Sequence, residues 1–320
     1  MKRIISWIPD RIDRRLHAVA WAYLIGQIIL VGTGGLVRLT DSGLGCPTWP
    51  KCTAQSLVNT PAMGIHGFIE FGNRILGVLL GLLAILAFVM ILKLRRSRRD
   101  LFWLTLLAGL MIPAQAVIGG ISVLSKLNPY VVGLHFIVSI VLVGLCTAFL
   151  IRVYATPGPR RLAVPRWFAG VAHTTSLFVA LTIVMGILTT GSGPHAGATN
   201  AARNNLNPEI MQHVHAIPAY VTFALTLVLV VGSLRIRPLH TPVRNFVVTL
   251  LCIEVAQIIV GLIQANTGLP GILVGIHMML AATLASAMTA VIMSLTATNR
   301  PGNVSDGTPV AETAQTALPH

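Results

Sequence analysis

The chain of 320 residues is 54% hydrophobic and 10% charged, with a mean hydropathy of +0.79. A composition this apolar excludes an ordinary soluble domain and indicates a polytopic membrane protein. The formal net charge of +14 does not indicate nucleic-acid binding, because the basic residues lie in short blocks between apolar stretches.

Eight apolar stretches are long enough to cross a membrane as helices, which takes about 20 residues each. They cover residues 18–38, 66–92, 101–123, 130–151, 167–190, 209–234, 245–265 and 271–296. The first stretch is too long for a removable signal peptide, and no small-residue cleavage site follows it. The sequence therefore predicts an all-α protein with eight transmembrane helices.

Most of the 23 Lys and Arg residues fall on one side of this eight-span arrangement. The positive-inside rule places that side, and with it both termini, in the cytoplasm. We therefore expect a multi-pass protein of the plasma membrane. The same charge predicts contact with anionic membrane lipid and no nucleic-acid partner. Residues 301–320 are polar and aperiodic, and we expect a disordered cytoplasmic tail.

One pattern occurs twice: a glutamine, a glycine four residues later and a histidine twenty residues after the glutamine. The copies are Gln115, Gly119 and His135, and Gln257, Gly261 and His277. The residue 62 positions before the histidine is Asn73 in the first copy and His215 in the second. Four spans per half give both halves the same orientation, so we predict two parallel-repeat four-helix bundles, residues 1–158 and 159–300.

Three of the histidines lie at a similar depth in their spans. A proline stands six or seven residues before each of them, in the pairs Pro129 and His135, Pro208 and His215, and Pro270 and His277. Each imidazole is then about 10 Å from the outer end of its helix. Facing imidazoles can bind both axial positions of a haem iron, and no ligand cluster has zinc spacing. A polar contact between helices is the alternative, but the repeated spacing favours haem.

The second span carries an unusual set of polar residues. Glu70 and Arg74 are four residues apart and can form an ion pair, while His66 and Asn73 share their helix face. A carboxylic acid beside a haem pocket is suited to proton transfer. Since the second copy has Gln212 in place of Glu70, the acid is confined to the first half, which we predict to be the reactive one.

Two cysteines lie in the first loop, on the side predicted to lie outside. Cys46 and Cys52 enclose a five-residue segment that can close into a disulfide, and both a structural and a redox role stay open. Buried positions inside the spans are predicted for Cys146, Cys252, His173 and Glu254.

The first loop also carries a family resemblance. Residues 34–52, GGLVRLTDSGLGCPTWPKC, closely resemble the first-loop signature of the haem A synthase family. The eight spans, the repeated Gln-x-x-x-Gly segments and the histidine positions are similar to that family too, over about residues 18–296. Cys46 and Cys52 match the outer-loop cysteine pair of many members.

The resemblance implies a membrane oxidoreductase that oxidises the C8 methyl of haem O to a formyl group, giving haem A for terminal oxidases. It implies a haem b cofactor with His215 and His277 as axial iron ligands in the C-terminal half. It also implies that the N-terminal half binds the substrate haem through His135. Glu70 matches the acid of the family's Glu-x-x-His-Arg motif, which is tied to catalysis.

One position departs from the family motif, because Asn73 stands where that motif has histidine. The substrate iron is then held by His135 alone, or by His135 with His66, which lies two turns or about 11 Å away. We prefer the first arrangement, whose open iron face suits an oxidation. Arg38 or Arg74 would meet a haem propionate or stabilise the acid.

Two other classes of protein compete with this interpretation. A di-haem electron-transfer cytochrome predicts two equivalent histidine pairs, which Asn73 argues against. A transporter with parallel repeats predicts polar groups at the bilayer centre, whereas these gather in the outer third. Docking with haem O synthase or with the terminal oxidase stays open, as do a homo-oligomer, the electron donor and the oxygen source.

Overall fold

Eight long helices form the fold in a computed structural model that describes residues 8–237, 239 and 241–298. They are α1 (Arg14–Leu39), α2 (Gly64–Ile91), α3 (Arg99–Leu124), α4 (Pro129–Tyr154), α5 (Arg166–Ser192), α6 (Pro208–Arg235), α7 (Thr241–Asn266) and α8 (Gly271–Ser294). Each is long and apolar enough to cross a membrane. The predicted all-α, eight-span membrane fold is confirmed. The predicted tail, residues 301–320, lies outside the described residues.

Three helices start at the prolines that the sequence marks. Pro129 and Pro208 open α4 and α6, and Pro270 directly precedes α8. Proline suits the first turn of a helix because the N–H it lacks has no partner there. The side chains of Asn128 and Asn207 cap α4 and α6 by accepting hydrogen bonds from backbone N–H groups of the first turn.

Neighbouring helices pack in two rings of four. α1, α2, α3 and α4 contact one another in order, and α4 closes on α1; α5 to α8 do the same, and α8 closes on α5. The rings touch through α1 with α8, α4 with α8 and α4 with α5. Two apolar clusters fill them, one around Tyr23 and Phe149 and the other around Phe168 and Leu250.

A short two-stranded ladder, which the sequence did not predict, joins the linker between the rings to the chain after α8. The strands β1 (Arg160–Leu162) and β2 (Thr296–Thr298) pair antiparallel. The hydroxyls of Thr156 and Thr298 lie 2.6 Å apart beside the ladder. The linker is therefore fixed to the end of the second ring.

Candidate functional site

Two histidines face each other across the second ring, near the end of the bundle that carries the first loop. The ring centroids of His215 on α6 and His277 on α8 are 6.3 Å apart, with an angle of 77° between the ring planes. An imidazole nitrogen binds a transition metal at about 2.0–2.1 Å, so two rings on opposite sides of one metal have centroids roughly 6 Å apart. The spacing fits a haem iron between the two imidazoles.

The outer nitrogen of one imidazole is already engaged. His215 Nδ1 lies 2.9 Å from the carbonyl oxygen of Thr182 on α5. A hydrogen bond there places the proton on Nδ1 and leaves Nε2 free as a metal ligand. Within the described residues, the Nδ1 atoms of His277 and His135 are buried without a partner.

Each of the three imidazoles lies against a glycine of the preceding helix. A Cβ added at that glycine would lie 3.0–3.2 Å from the imidazole Cε1, which is tighter than ordinary contact. The pairs are Gly119 with His135, Gly186 with His215, and Gly261 with His277. These glycines therefore leave the space in which each ring sits.

The repeated glutamines hold the histidine backbones. Gln115 Nε2 donates to the carbonyl of His135 at 3.1 Å, and Gln257 Nε2 donates to the carbonyl of His277 at 3.2 Å. The glutamine and the glycine thus serve one purpose, since one fixes the backbone of the histidine and the other makes room for its ring. This accounts physically for the spacing repeated in the sequence.

Asn73 occupies the position in the first ring that His215 has in the second. Its Oδ1 accepts a hydrogen bond of 2.7 Å from the hydroxyl of Thr33 on α1. A Cβ added at Gly34 would lie 3.9 Å from Asn73 Nδ2, so this contact is looser than the glycine contacts of the imidazoles. The Asn73 amide is held toward α1.

Glu70 and Arg74 form a buried clamp on the first loop. Arg74 Nη2 donates to Glu70 Oε1 at 2.6 Å, and the backbone N–H of Cys46 donates to Glu70 Oε2 at 2.6 Å. Arg74 Nη2 also lies 3.1 Å from the carbonyl of Cys46 and 3.2 Å from that of Thr48. Glu70 is only 5% exposed, and each of its two carboxylate oxygens accepts one strong hydrogen bond. Of the alternatives raised for Arg74, the structure shows the contact with the acid.

The clamped loop packs on α3 through a tryptophan, one residue along that helix from the glycine beside His135. The predicted Cys46–Cys52 disulfide is present. Inside that loop, the Trp49 ring covers Gly120 of α3, where an added Cβ would clash with it at 2.4 Å. Gly120 adjoins Gly119, against which His135 lies. Sequence reasoning passed over Trp49, although its place between the two cysteines was a usable signal.

His66 belongs to the same loop contact. Its Nδ1 lies 2.9 Å from the hydroxyl of Ser42, which is fully buried, while the imidazole itself is exposed. A Cβ added at Gly45 would lie 2.3 Å from the carbonyl oxygen of His66, so the loop backbone presses on the start of α2. His66 therefore anchors the loop in this structure.

Arg38 links the two rings at the same end. Its Nε donates to the carbonyl of His195 at 2.6 Å, and its Nη2 donates to the carbonyl of Thr190 at 3.0 Å. His195 Nε2 in turn lies 2.9 Å from the carbonyl of Leu269. A guanidinium suits the end of α5, where the last carbonyls lack helical partners. Arg38 thus ties the end of α1 to two loops of the second ring.

The family model for the COX15-CtaA cytochrome oxidase assembly proteins matches residues 17–289 of this chain. The chain belongs to this family. The match covers all eight helices of both rings except the first residues of α1 and the last of α8. The resemblance recognised in the sequence is confirmed.

Curated relatives carry one name, heme A synthase. A Halalkalibacterium halodurans protein is 31% identical over 46% of this chain and 49% of its own length. An Exiguobacterium sibiricum protein is 24% identical over 70% of this chain and 77% of its own length. A Symbiobacterium thermophilum protein is 30% identical over 45% of each chain. The chain thus spans about half the length of two of these three relatives.

Two buried positions predicted from the sequence are wrong. His173 is exposed, because the buried face of α5 runs through Ala172 and Thr175. Cys252 is exposed on α7, whereas Cys146 is buried as predicted. Glu254 is also buried as predicted: its Oε1 accepts from Thr226 on α6 at 2.8 Å, and its Oε2 has no partner among the described residues.

Proposed function

We propose that this protein is a haem A synthase, which oxidises the C8 methyl of haem O to a formyl group. Membership of the COX15-CtaA family and the shared name of the relatives support this activity. The observation that carries it is the facing imidazole pair, whose centroid spacing of 6.3 Å fits a haem iron. The cofactor proposed for the pair is haem b.

We assign different tasks to the two halves, residues 1–158 and 159–300. Paired contacts support a parallel repeat: an added Cβ at Gly133 would lie 2.7 Å from Ile187 on α5, and one at Gly275 would lie 3.1 Å from Leu39 on α1. Both glycines lie two residues before a site histidine, and both face the first helix of the other ring. The second half holds the cofactor and the first half holds the substrate.

In the second half, His215 and His277 would hold the iron of haem b between them. Haem b bound there supplies one-electron transfer. The Thr182 carbonyl fixes the orientation of the His215 ring, and the Gln257 amide fixes the backbone of His277. Gly261 leaves room for the His277 ring.

In the first half, His135 binds the iron of the substrate haem O. Asn73 is held by Thr33, and His66 contacts Ser42 in the loop. These contacts support a substrate iron with one protein ligand and one open face. Conversion of a methyl to a formyl group replaces two hydrogens by one oxygen and removes four electrons, which an external oxidant has to accept. An open iron face leaves room for a small oxidant.

We assign Glu70 to orienting the reacting edge of the substrate. Both of its oxygens accept strong hydrogen bonds, from Arg74 and from the Cys46 backbone, and this supports a fixed carboxylate better than a mobile proton carrier. Through the same contacts Glu70 positions the loop that carries Trp49.

The distribution of charge supports a plasma-membrane protein with both termini in the cytoplasm. The loop end, with its disulfide, then lies on the oxidising side. Haem O synthase and the terminal oxidase are the partners expected to deliver substrate and to receive product.

The test is extraction and chromatography of the haems that co-purify with the chain. We expect haem B together with haem O or A in the wild type, and selective loss of haem B in His215→Ala. His173→Ala, which removes an exposed histidine from the same ring, is the matched control and should retain all haems. Glu70→Gln should keep its haems but stop producing the formyl group.

Each contrary result has a definite meaning. Haem B alone, at two per chain, would show an electron-transfer cytochrome. A chain without haem would refute both functions. Wild-type turnover in Glu70→Gln would remove that residue from the mechanism and leave the haem assignments intact.

A further inference from the structure

A cavity of about 280 Å³ opens at the end of the first ring opposite the disulfide loop. Its walls come from three segments: the start of α3, the end of α4 and the linker toward the second ring. The wall residues used below are Arg96, Arg99, Asp100 and Arg152, with Thr156 and Gly158 from the linker. The cavity lies far from the histidines, and the proposed reaction makes no use of it.

The charge of this cavity is strongly positive. Its one carboxylate, Asp100, is neutralised by Arg98, whose Nε and Nη2 each donate to it at 3.0 Å. The guanidinium groups of Arg96, Arg99 and Arg152 make no ion pair or hydrogen bond to any residue that the structure describes. Four guanidinium groups, counting Arg98, therefore stand against one carboxylate in and beside this cavity.

Arg98 lies between the wall residues Ser97 and Arg99 but does not itself line the cavity. It is only 4% exposed, and besides Asp100 it contacts the backbone carbonyl of Arg152. Its remaining nitrogen, Nη1, is buried with no partner in the described chain. Arg98 thus connects Asp100 to the end of α4 and fixes two walls of the cavity.

The backbone contributes to the same preference for an anion. Arg98 stands at the N-cap of α3, and its side chain makes no capping hydrogen bond. The positive end of the helix dipole favours negative charge at this point, and the first turn supplies one carboxylate, Asp100. Burial and the positive charge of Arg152 hold the pKa of the Arg160 guanidinium below its usual value.

We infer that this cavity binds a phosphate group, either the headgroup phosphate of an anionic phospholipid or phosphate free in solution. A phosphate offers several oxygens to guanidinium groups, which match its geometry with paired donors. The cavity lies at a helix end, where basic pockets of membrane proteins meet anionic headgroups. A bound phosphate would connect α3, α4 and the linker, and so stabilise the junction between the rings.

The experiment compares the full chain in nanodiscs of phosphatidylcholine with and without phosphatidylglycerol, and separately with added inorganic phosphate. Retained lipid is counted by native mass spectrometry, and the thermal unfolding midpoint is recorded. The variant Arg96→Gln/Arg152→Gln removes two cavity charges. The control Arg237→Gln/Arg244→Gln removes two exposed arginines at the same end of the bundle but outside the cavity.

Phosphatidylglycerol should remain bound to the wild type and to the control, and should raise their unfolding midpoints. The cavity variant should bind it about 30-fold more weakly, since each arginine near a membrane surface contributes about a factor of five. Stabilisation of the wild type by inorganic phosphate alone, lost in the cavity variant, would identify free phosphate as the ligand. Equal losses in the two variants, or no response to either phosphate source, would overturn the inference.

Discussion

Gly186→Ala tests whether the cofactor site depends on the space beside His215. An added Cβ would lie 3.0 Å from His215 Cε1 and 3.3 Å from its Nδ1. Ordinary contacts between carbon atoms are about 3.5–4.0 Å, so the ring must move by about 0.5 Å or more. Ligand distances at a metal tolerate only about 0.2 Å, and the shift also strains the bond to Thr182. Disturbing such a contact should cost on the order of 10- to 100-fold in haem affinity.

The assay is the ratio of haem B to purified chain, with the absorption spectrum of the bound haem as a second readout. Gly170→Ala is the control on the same helix, because an added Cβ there meets nothing within 4 Å. That change should preserve the haem, and replacing glycine by alanine should stabilise the helix by about 1 kcal/mol. Gly119→Ala should lower haem O or A and leave haem B unchanged. Full haem B with an unaltered spectrum in Gly186→Ala would refute this account of the site.

Three further predictions concern the polar contacts. Asn73→His should supply a second imidazole to the substrate iron, converting its high-spin electron paramagnetic resonance signal to low-spin and lowering turnover; an unchanged signal would show that position 73 does not face the iron. Arg74→Leu leaves Glu70 buried without its partner and should lower the free energy of unfolding by about 3 kcal/mol, measured by thermal unfolding against Arg74→Lys. Gln257→Leu frees the His277 carbonyl and should weaken haem B retention about tenfold, with unaltered retention counting against a positioning role.

The spans and the repeated spacing of glutamine, glycine and histidine could be predicted because both are local patterns in the sequence. The second copy of Gln115 and its glycine can be found by spacing alone. Gly186 could not be found in this way: 29 residues separate it from His215, whereas 39 separate Gly34 from Asn73. A shorter loop in the second half shifts the register, and only the folded chain brings each glycine opposite its partner.

Which face of a span is buried could not be predicted from the pattern. Lipid tails are as apolar as the helix interface, so hydrophobic periodicity carries little information inside a membrane. The errors at His173 and Cys252 have this cause. The contacts of Arg38 could not be predicted for a different reason. Its partners are the backbone carbonyls of Thr190 and His195, and the sequence pattern of side chains does not reveal backbone partners.

In both rings the first helix holds the side chain at the corresponding position of the second helix, but the side chains differ. In the second ring, a carbonyl of the first helix holds an imidazole, as Thr182 holds His215. In the first ring, the corresponding helix holds an amide, as Thr33 holds Asn73. In the proposed function, an imidazole held in this way would be one of two ligands of the haem b iron, which suits electron transfer. In the proposed function, the amide held toward α1 leaves the substrate iron without that ligand. The first ring also has Glu70 bound to the loop that bears Trp49. The asymmetry therefore lies in side chains on an otherwise shared frame, as expected if one half keeps a cofactor and the other exposes a substrate.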